Sequence, residues 1–308
     1  MPGALPLSHV LLALGVVAVW GTNFVVIRIG LTHLPALAFA ALRFAFAVFP
    51  AILFIRRPAA PWRHLALYGL LIGAGQFGLL FIALKGFIAP GLASLVVQSQ
   101  VFFTIGLSMV MAGERVRAYQ VVALALACVG LAVIAAHVDA STTPTGLALV
   151  LLAAACWAAG NMVVKASGRV NVVAYVVWSS LFSVPPLVGL SLAFEGWDAV
   201  WAGLRAAGPE TWAAVLWQSV GNSLFGYAAW GWLLARHPAA SVTPLALLIP
   251  VFGLGASAVF LGEPMPAWKM LATGLVMVGL ALGMFWPRIA ARLGEGTAKA
   301  EADAGRAA

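Results

Sequence analysis

Ten apolar runs of about twenty residues, parted by short polar links, leave this chain few ways to fold. A hydrocarbon core of about 30 Å is crossed by about 20 residues of helix. In lipid, backbone groups must be satisfied within the segment, which helices do. The runs lie near 8–29, 36–55, 65–86, 91–112, 118–137, 146–166, 172–194, 211–234, 240–261 and 267–286. The links carry breakers and charges: Arg56-Arg57-Pro58, Glu114-Arg115, Asp139 to Pro144, Arg236-His237-Pro238 and Glu263-Pro264. Apolar residues are 63% of the chain and charged ones 8%, against about 25% charged in an average soluble domain. These features predict an all-α membrane protein of ten transmembrane helices. The first run lacks a basic leader and holds Asn23 and Arg28, against a cleaved signal peptide. Residues 289–308 turn polar and rich in Ala, Glu and Lys, and read as a disordered tail.

The chain also repeats itself. Phe103, Gly106, Ser108, Gly113-Glu114, Tyr119-Gln120 and Val129-Gly130-Leu131-Ala132 return 149 residues on as Phe252, Gly255, Ser257, Gly262-Glu263, Trp268-Lys269 and Val278-Gly279-Leu280-Ala281. One fixed offset over such a length divides the chain into a five-helix repeat at 1–137, a second at 138–288, and the tail. Lys and Arg set the orientation. With the N-terminus in the cytoplasm, Arg56, Arg57, Arg63, Arg115, Arg117, Lys165, Arg169, Arg236, Arg288, Arg292, Lys299 and Arg306 lie inside. Only Arg28, Lys85, Arg205 and Lys269 lie outside, so both termini read as cytoplasmic. The net charge of +8 then reflects topology and contact with membrane lipids, and no nucleic-acid partner is indicated. Because each repeat has an odd number of helices, the two run in opposite senses. Inverted repeats place a binding site near the midplane and allow alternating access.

The residues Trp20-Gly21-Thr22-Asn23-Phe24, Leu42-Arg43-Phe44 and the two Gly-Glu turns resemble the drug/metabolite transporter superfamily, in its ten-helix EamA branch. The resemblance covers residues 8–287. Within that branch, the Trp-rich helices look most like bacterial amino-acid and metabolite exporters. It implies export of small metabolites across the inner membrane. Pro244 and Pro250 depart from the repeat, since Leu95 and Val101 stand in their places in the first half.

Polar residues inside a membrane cost free energy and ask for a reason. All nine carboxylates fall in turns, links or the tail, and the five histidines lie near helix ends. A drug/proton antiporter needs a membrane carboxylate, so a uniporter or exchanger of an uncharged, zwitterionic or anionic substrate is expected. Arg43 lies about two turns from the outer end of helix 2. It either meets a substrate carboxylate or snorkels to helix-end carbonyls. Trp20 and Asn23, Trp157 and Asn161, and Gln218 and Asn222 share helix faces by their spacing. With Gln76 and Gln98 they are candidates for a substrate cavity or for interhelical hydrogen bonds. Tyr175, Trp178, Tyr227 and Trp230 add rings that suit a flat apolar side chain with a polar head, such as an aromatic or large apolar amino acid. Trp62, Trp197, Trp201, Trp212, Trp268 and Trp286 read as interfacial belt.

Pro185-Pro186, Pro244 and Pro250 are candidate hinges. Gly69/Gly73 and Gly279/Gly283 permit close helix approach within the bundle, so a monomer is expected rather than a dimer. No metal spacing, phosphate loop or cofactor motif is present, and neither a buried Ser/His pair nor paired membrane aspartates supports an enzyme. The absence of Lys or Arg on helix 9 counts against a phosphate-bearing substrate. A receptor or scaffold is the non-transport alternative, with other neutral or anionic metabolites or drugs, or proton coupling, as the transport alternative.

Overall fold

The computed structural model describes residues 6–112, 118–139, 141–237 and 239–307. Among the described residues nine helices are long and apolar enough to cross a membrane. They are α1 Leu7–Gly30, α2 Ala36–Phe54, α3 Trp62–Leu84, α4 Pro90–Val110, α5 Ala118–Ala136, α6 Pro144–Ala166, α7 Val172–Phe194, α9 Thr243–Leu261 and α10 Ala267–Trp286. Between α7 and α9 lies α8 at 209–236, made of Pro209–Leu216, Trp217–Phe225 and Gly226–Arg236. Its Gln218, Ser219, Asn222 and Ser223 make it the most polar of the long helices. The turn Gly113-Glu114 lies outside the described residues.

Local chemistry explains where the helices begin. Pro90, Pro144 and Pro209 take first positions, where a missing N–H costs nothing. Thr143 and Asn171 cap α6 and α7 by accepting from the Gly146 and Ala174 amides. α2 is interrupted at Phe49-Pro50, where proline cannot continue the ladder.

Two stretches differ from the sequence expectation. The α7–α8 link contains a surface helix, Trp197–Ala206, with Trp197 and Trp201 stacked on its exposed face and the Arg205 guanidinium over Trp201. The last helix also runs on from α10 to Ala307, where a disordered tail is expected. Ala, Glu, Lys and Arg dominate there and are strong helix formers, so polarity alone does not stop the helix.

The helices pair as an exchange of the two halves requires. α2 packs on α7, α5 on α10, and α4 on α9. α1 packs on α8 and α9, as α6 packs on α3 and α4. Renaming α1–α5 as α6–α10 maps this set onto itself. Small residues make the closest crossings. Gly69 and Gly73 lie against Ser179 and Ser183 of α7, and Gly130 and Gly279 join α5 to α10. Large apolar side chains such as Val110, Phe194, Val259 and Phe260 point outward, as lipid contact requires.

One end of the bundle is tied together. Glu195, past the end of α7, accepts from the Leu37 and Ala38 amides at 2.9 and 3.1 Å, capping α2. Glu263 accepts from the Gly91 amide at the start of α4 at 3.0 Å and pairs with Lys269 at 2.8 Å. Arg28 donates to the Leu84 and Lys85 carbonyls. Asp139 folds the α5–α6 link, and the Ser141 hydroxyl and amide it accepts from hold its carboxyl below the usual value. Glu195→Ala is expected to lower stability by about 0.5–2 kcal/mol, the range for a lost helix cap. Thermal unfolding of the purified protein measures it, and an unchanged midpoint would show that water replaces the cap.

Candidate substrate cavity

The regular α ladder fails at matching places in the two halves. α3 widens to a π-helix over Leu70–Gly78, and α8 does so over Trp217–Phe225. α4 tightens to a 3-10 turn over Val97–Ser99, and α9 over Thr243–Leu248. In α9 the cause is visible: Pro244 and Pro250 remove the donors an α ladder needs there. α4 breaks at the equivalent place without a proline, so the sequence difference between the halves leaves no difference in backbone class. α7, by contrast, stays helical through Pro185-Pro186. Departures from α geometry in mid-helix frequently mark functional sites. Here the irregular segments carry Gln76, Gln98, Gln218 and Asn222.

These segments border a cavity of about 460 Å³ between α1, α3, α4, α6, α8, α9 and α10. Trp20, Asn23, Gln76, Gln98, Trp157, Asn161, Asn222, Tyr227 and Trp230 line it. Its walls also take Ile105, Thr243 and Met284, which lie toward the end holding the links 55–61, 167–171 and the start of α1. The cavity therefore runs from mid-bundle toward that end, away from the end tied by Glu195 and Glu263.

One wall is aromatic. The Trp20 indole sits 5.6 Å from the Tyr227 ring and 5.3 Å from Trp230, and its Nε1 donates to the Asn222 carbonyl at 3.1 Å. That bond joins α1 to the π-segment of α8. Opposite, Asn161 donates to Gln100 Oε1 at 3.2 Å and to Thr104 at 3.4 Å, holding α6 against α4. Gln218 donates to Asn23 Oδ1 at 2.6 Å, which fixes the Asn23 amide at the cavity wall. Gln76 Oε1 is buried with no hydrogen-bond partner. An unpaired buried acceptor on a cavity wall suits a ligand donor such as an ammonium group.

Four of the sequence-predicted residues lie elsewhere. Gln218 stands behind Asn23 and touches no cavity surface. Tyr175 shares a hydrogen bond with Ser167 and packs edge-on against Tyr68. Trp178 donates to the Ile55 carbonyl, tying α7 to the end of α2. Arg43 is buried among α2, α3, α7 and α8, on the far side of Phe77. α7 faces α2 and α3, so its rings cannot reach the cavity. Sequence reading missed Phe24, Phe77 and Phe102, which look like any apolar packing residue, and Thr243, which sits beside the Pro244 it did flag.

Ten helices pairing by exchange of halves, with broken helices around a central cavity, define a membrane transporter fold. The EamA-like transporter family model matches twice, over residues 7–136 and 144–285, one match for each half. The chain belongs to that family. It is 41% identical over 287 residues to a probable amino-acid metabolite efflux pump of Salmonella typhimurium, covering 90% of this chain and 95% of that one. It is 39% identical to the probable amino-acid metabolite efflux pump of Escherichia coli, over 89% and 94% of the two chains. A probable terminal-alkyne amino-acid exporter of Streptantibioticus cattleyicolor is 28% identical over 86% of this chain and 90% of its own. One solved crystal structure shares the fold with a TM-score of 0.64 at 20% identity, over 91% of this chain and 98% of its own.

Proposed function

We propose that this protein exports amino acids with aromatic or large apolar side chains across the inner membrane, by alternating access and as a uniporter or exchanger. The observation that carries this reading is the cavity itself. Its volume of about 460 Å³ is within the usual range for small-molecule sites. Its Trp and Tyr walls offer flat apolar contact, and its amides offer a few fixed polar groups. The exporter names of the relatives support the substrate class. With both termini cytoplasmic, as the basic bias favours, the cavity faces the cytoplasm and the end tied by Glu263 faces out. This is the loading state of an exporter. The uncoupled mode rests on the nine carboxylates, all of which fall outside the membrane runs.

The test uses purified protein in liposomes preloaded with unlabelled amino acid, following uptake of labelled phenylalanine, leucine and alanine with and without a pH gradient. Uptake is expected to need only the amino-acid gradient and to be strongest for phenylalanine and leucine. Uptake that stops without a pH gradient overturns the uncoupled mode, and no uptake of any amino acid overturns the substrate class. Trp157→Ala is expected to lower phenylalanine exchange about 5- to 10-fold, the worth of one aromatic contact, with little change for alanine. An equal loss for both would make Trp157 a packing residue.

A further inference from the structure

Arg43 is 1% exposed, and only part of its guanidinium is satisfied. Nη2 donates to Ser223 Oγ at 3.1 Å, whereas Nε and Nη1 have no hydrogen-bond partner. The serines around it do not cancel its charge. Ser179, Ser180, Ser183 and Ser223 each donate to a backbone carbonyl, so their oxygens are left only to accept. Among the described residues, no carboxylate lies in the interior of a membrane-spanning helix, and Glu210 sits exposed in the first turn of α8. A buried cation with open donors and no anion is costly.

Only one layer of side chains separates this cation from the cavity. The Phe77 ring lies 3.4 Å from the Arg43 guanidinium carbon, and both Phe77 and Tyr227 wall the Arg43 chamber and the cavity alike. The chamber itself measures about 10 Å³, room for one water-sized atom. The chamber adjoins the cavity across Phe77, so a carboxylate entering from the cavity reaches Arg43 when Phe77 turns away. Phe77 rides on the π-segment of α3, and Ser223 on that of α8, so a group bound there touches both halves at their irregular turns.

Resting on the amino-acid reading above, we propose that Arg43 is the carboxylate-binding end of the cargo site, and that Phe77 is the shutter over it. Cargo then needs a free carboxylate, which pairs with the guanidinium fork. Its side chain stays among Trp20, Trp157 and Trp230. The empty carrier holds an uncompensated cation that the cargo completes.

The experiment follows labelled L-phenylalanine exchange in liposomes, competed by phenylalaninamide, which lacks the carboxylate, and by 3-phenylpropionate, which lacks the ammonium. Purified protein is melted with 3-phenylpropionate or phenethylamine in parallel. The amide is expected to compete about 10- to 100-fold more weakly than phenylalanine, the range for one charged hydrogen-bonded pair. Arg43→Gln should remove that discrimination, whereas a merely structural role would lower all ligands alike. If Arg43→Gln does not fold, Phe77→Leu serves, and should raise the preference for carboxylate over amide at least about 3-fold. Equal competition by phenylalaninamide in the wild type, or an unchanged preference in Phe77→Leu, overturns the proposal. Should phenylalanine not exchange at all, melting decides separately. Stabilisation by 3-phenylpropionate but not phenethylamine, lost in Arg43→Gln, keeps the carboxylate site and discards the amino-acid reading. No stabilisation discards both.

Discussion

Glu263→Ala is expected to destabilise the protein by about 3–5 kcal/mol, the cost of removing one partner of a buried ion pair. The side chains of Glu263 and Lys269 are only 8% and 4% exposed, so solvent screens the pair little. Without the carboxylate, Lys269 keeps only the Pro264 carbonyl at 2.7 Å for a buried ammonium. The Gly91 amide at the start of α4 also loses its acceptor. The double change Glu263→Gln with Lys269→Met removes both charges and should recover most of the loss, because desolvating the pair had offset much of its attraction. Thermal unfolding of the three purified proteins measures this. A double variant as unstable as Glu263→Ala would show that the charge pair is not what holds this end shut. Exchange through the double variant carries a second expectation. If the pair keeps this end closed during loading, its removal should raise passive leak of phenylalanine from liposomes while the protein stays folded.

The sequence already marks Glu263, because Gly262-Glu263 repeats Gly113-Glu114. The observed helix contacts follow the same order, since exchanging α1–α5 for α6–α10 leaves the set of pairs unchanged. Helix positions are legible for a related reason: a run long enough to cross lipid must be helical throughout. Which face each helix turns inward is far less legible. α2 reads Ala-Leu-Ala-Phe-Ala-Ala-Leu-Arg-Phe, apolar all round, so nothing in its period says whether Arg43 looks into the cavity or away from it. Its position behind Phe77 follows from the packing of α2 on α7. The same holds for Tyr175 and Trp178 on α7. Trp20 with Asn23 and Trp157 with Asn161 reach the cavity, and each pair sets a polar group beside a ring on one face of an otherwise apolar helix. The π and 3-10 turns are also hard to read, because backbone propensities scarcely distinguish them from α-helix. Only Pro244 and Pro250 announce one of them. Trp197, Trp201 and Arg205 did recur at one-face spacing, a signal of the surface helix that interfacial tryptophans alone do not give.

Gly21→Leu is expected to be the most disruptive change of a single glycine in α1. A Cβ at Gly21 would lie 2.6 Å from the Ile249 carbonyl oxygen and 3.0 Å from the Gly253 amide nitrogen. Both are backbone atoms, so no side-chain rotation relieves the clash, and α9 must move away from α1. Crowding of this kind costs about 1–3 kcal/mol, occasionally more, and the upper end is expected where backbone is met. Gly15, less than two turns earlier on the same helix, has nothing within 4 Å of its would-be Cβ. Gly15→Leu should therefore melt near the wild type, which separates crowding from any general effect of leucine on α1. The functional consequence follows from where Gly21 sits. α1 lies in the first family match and α9 in the second, so under the proposed alternating access their crossing is part of the seam that must rearrange. Ile249, whose carbonyl Gly21 meets, also lines the cavity. A wedge there should lower phenylalanine exchange at least about 10-fold even under conditions where the variant remains folded. Equal melting of Gly21→Leu and Gly15→Leu would mean that α1 and α9 are not held at this distance. A lower melting point with full exchange would mean that the seam moves without needing the close approach.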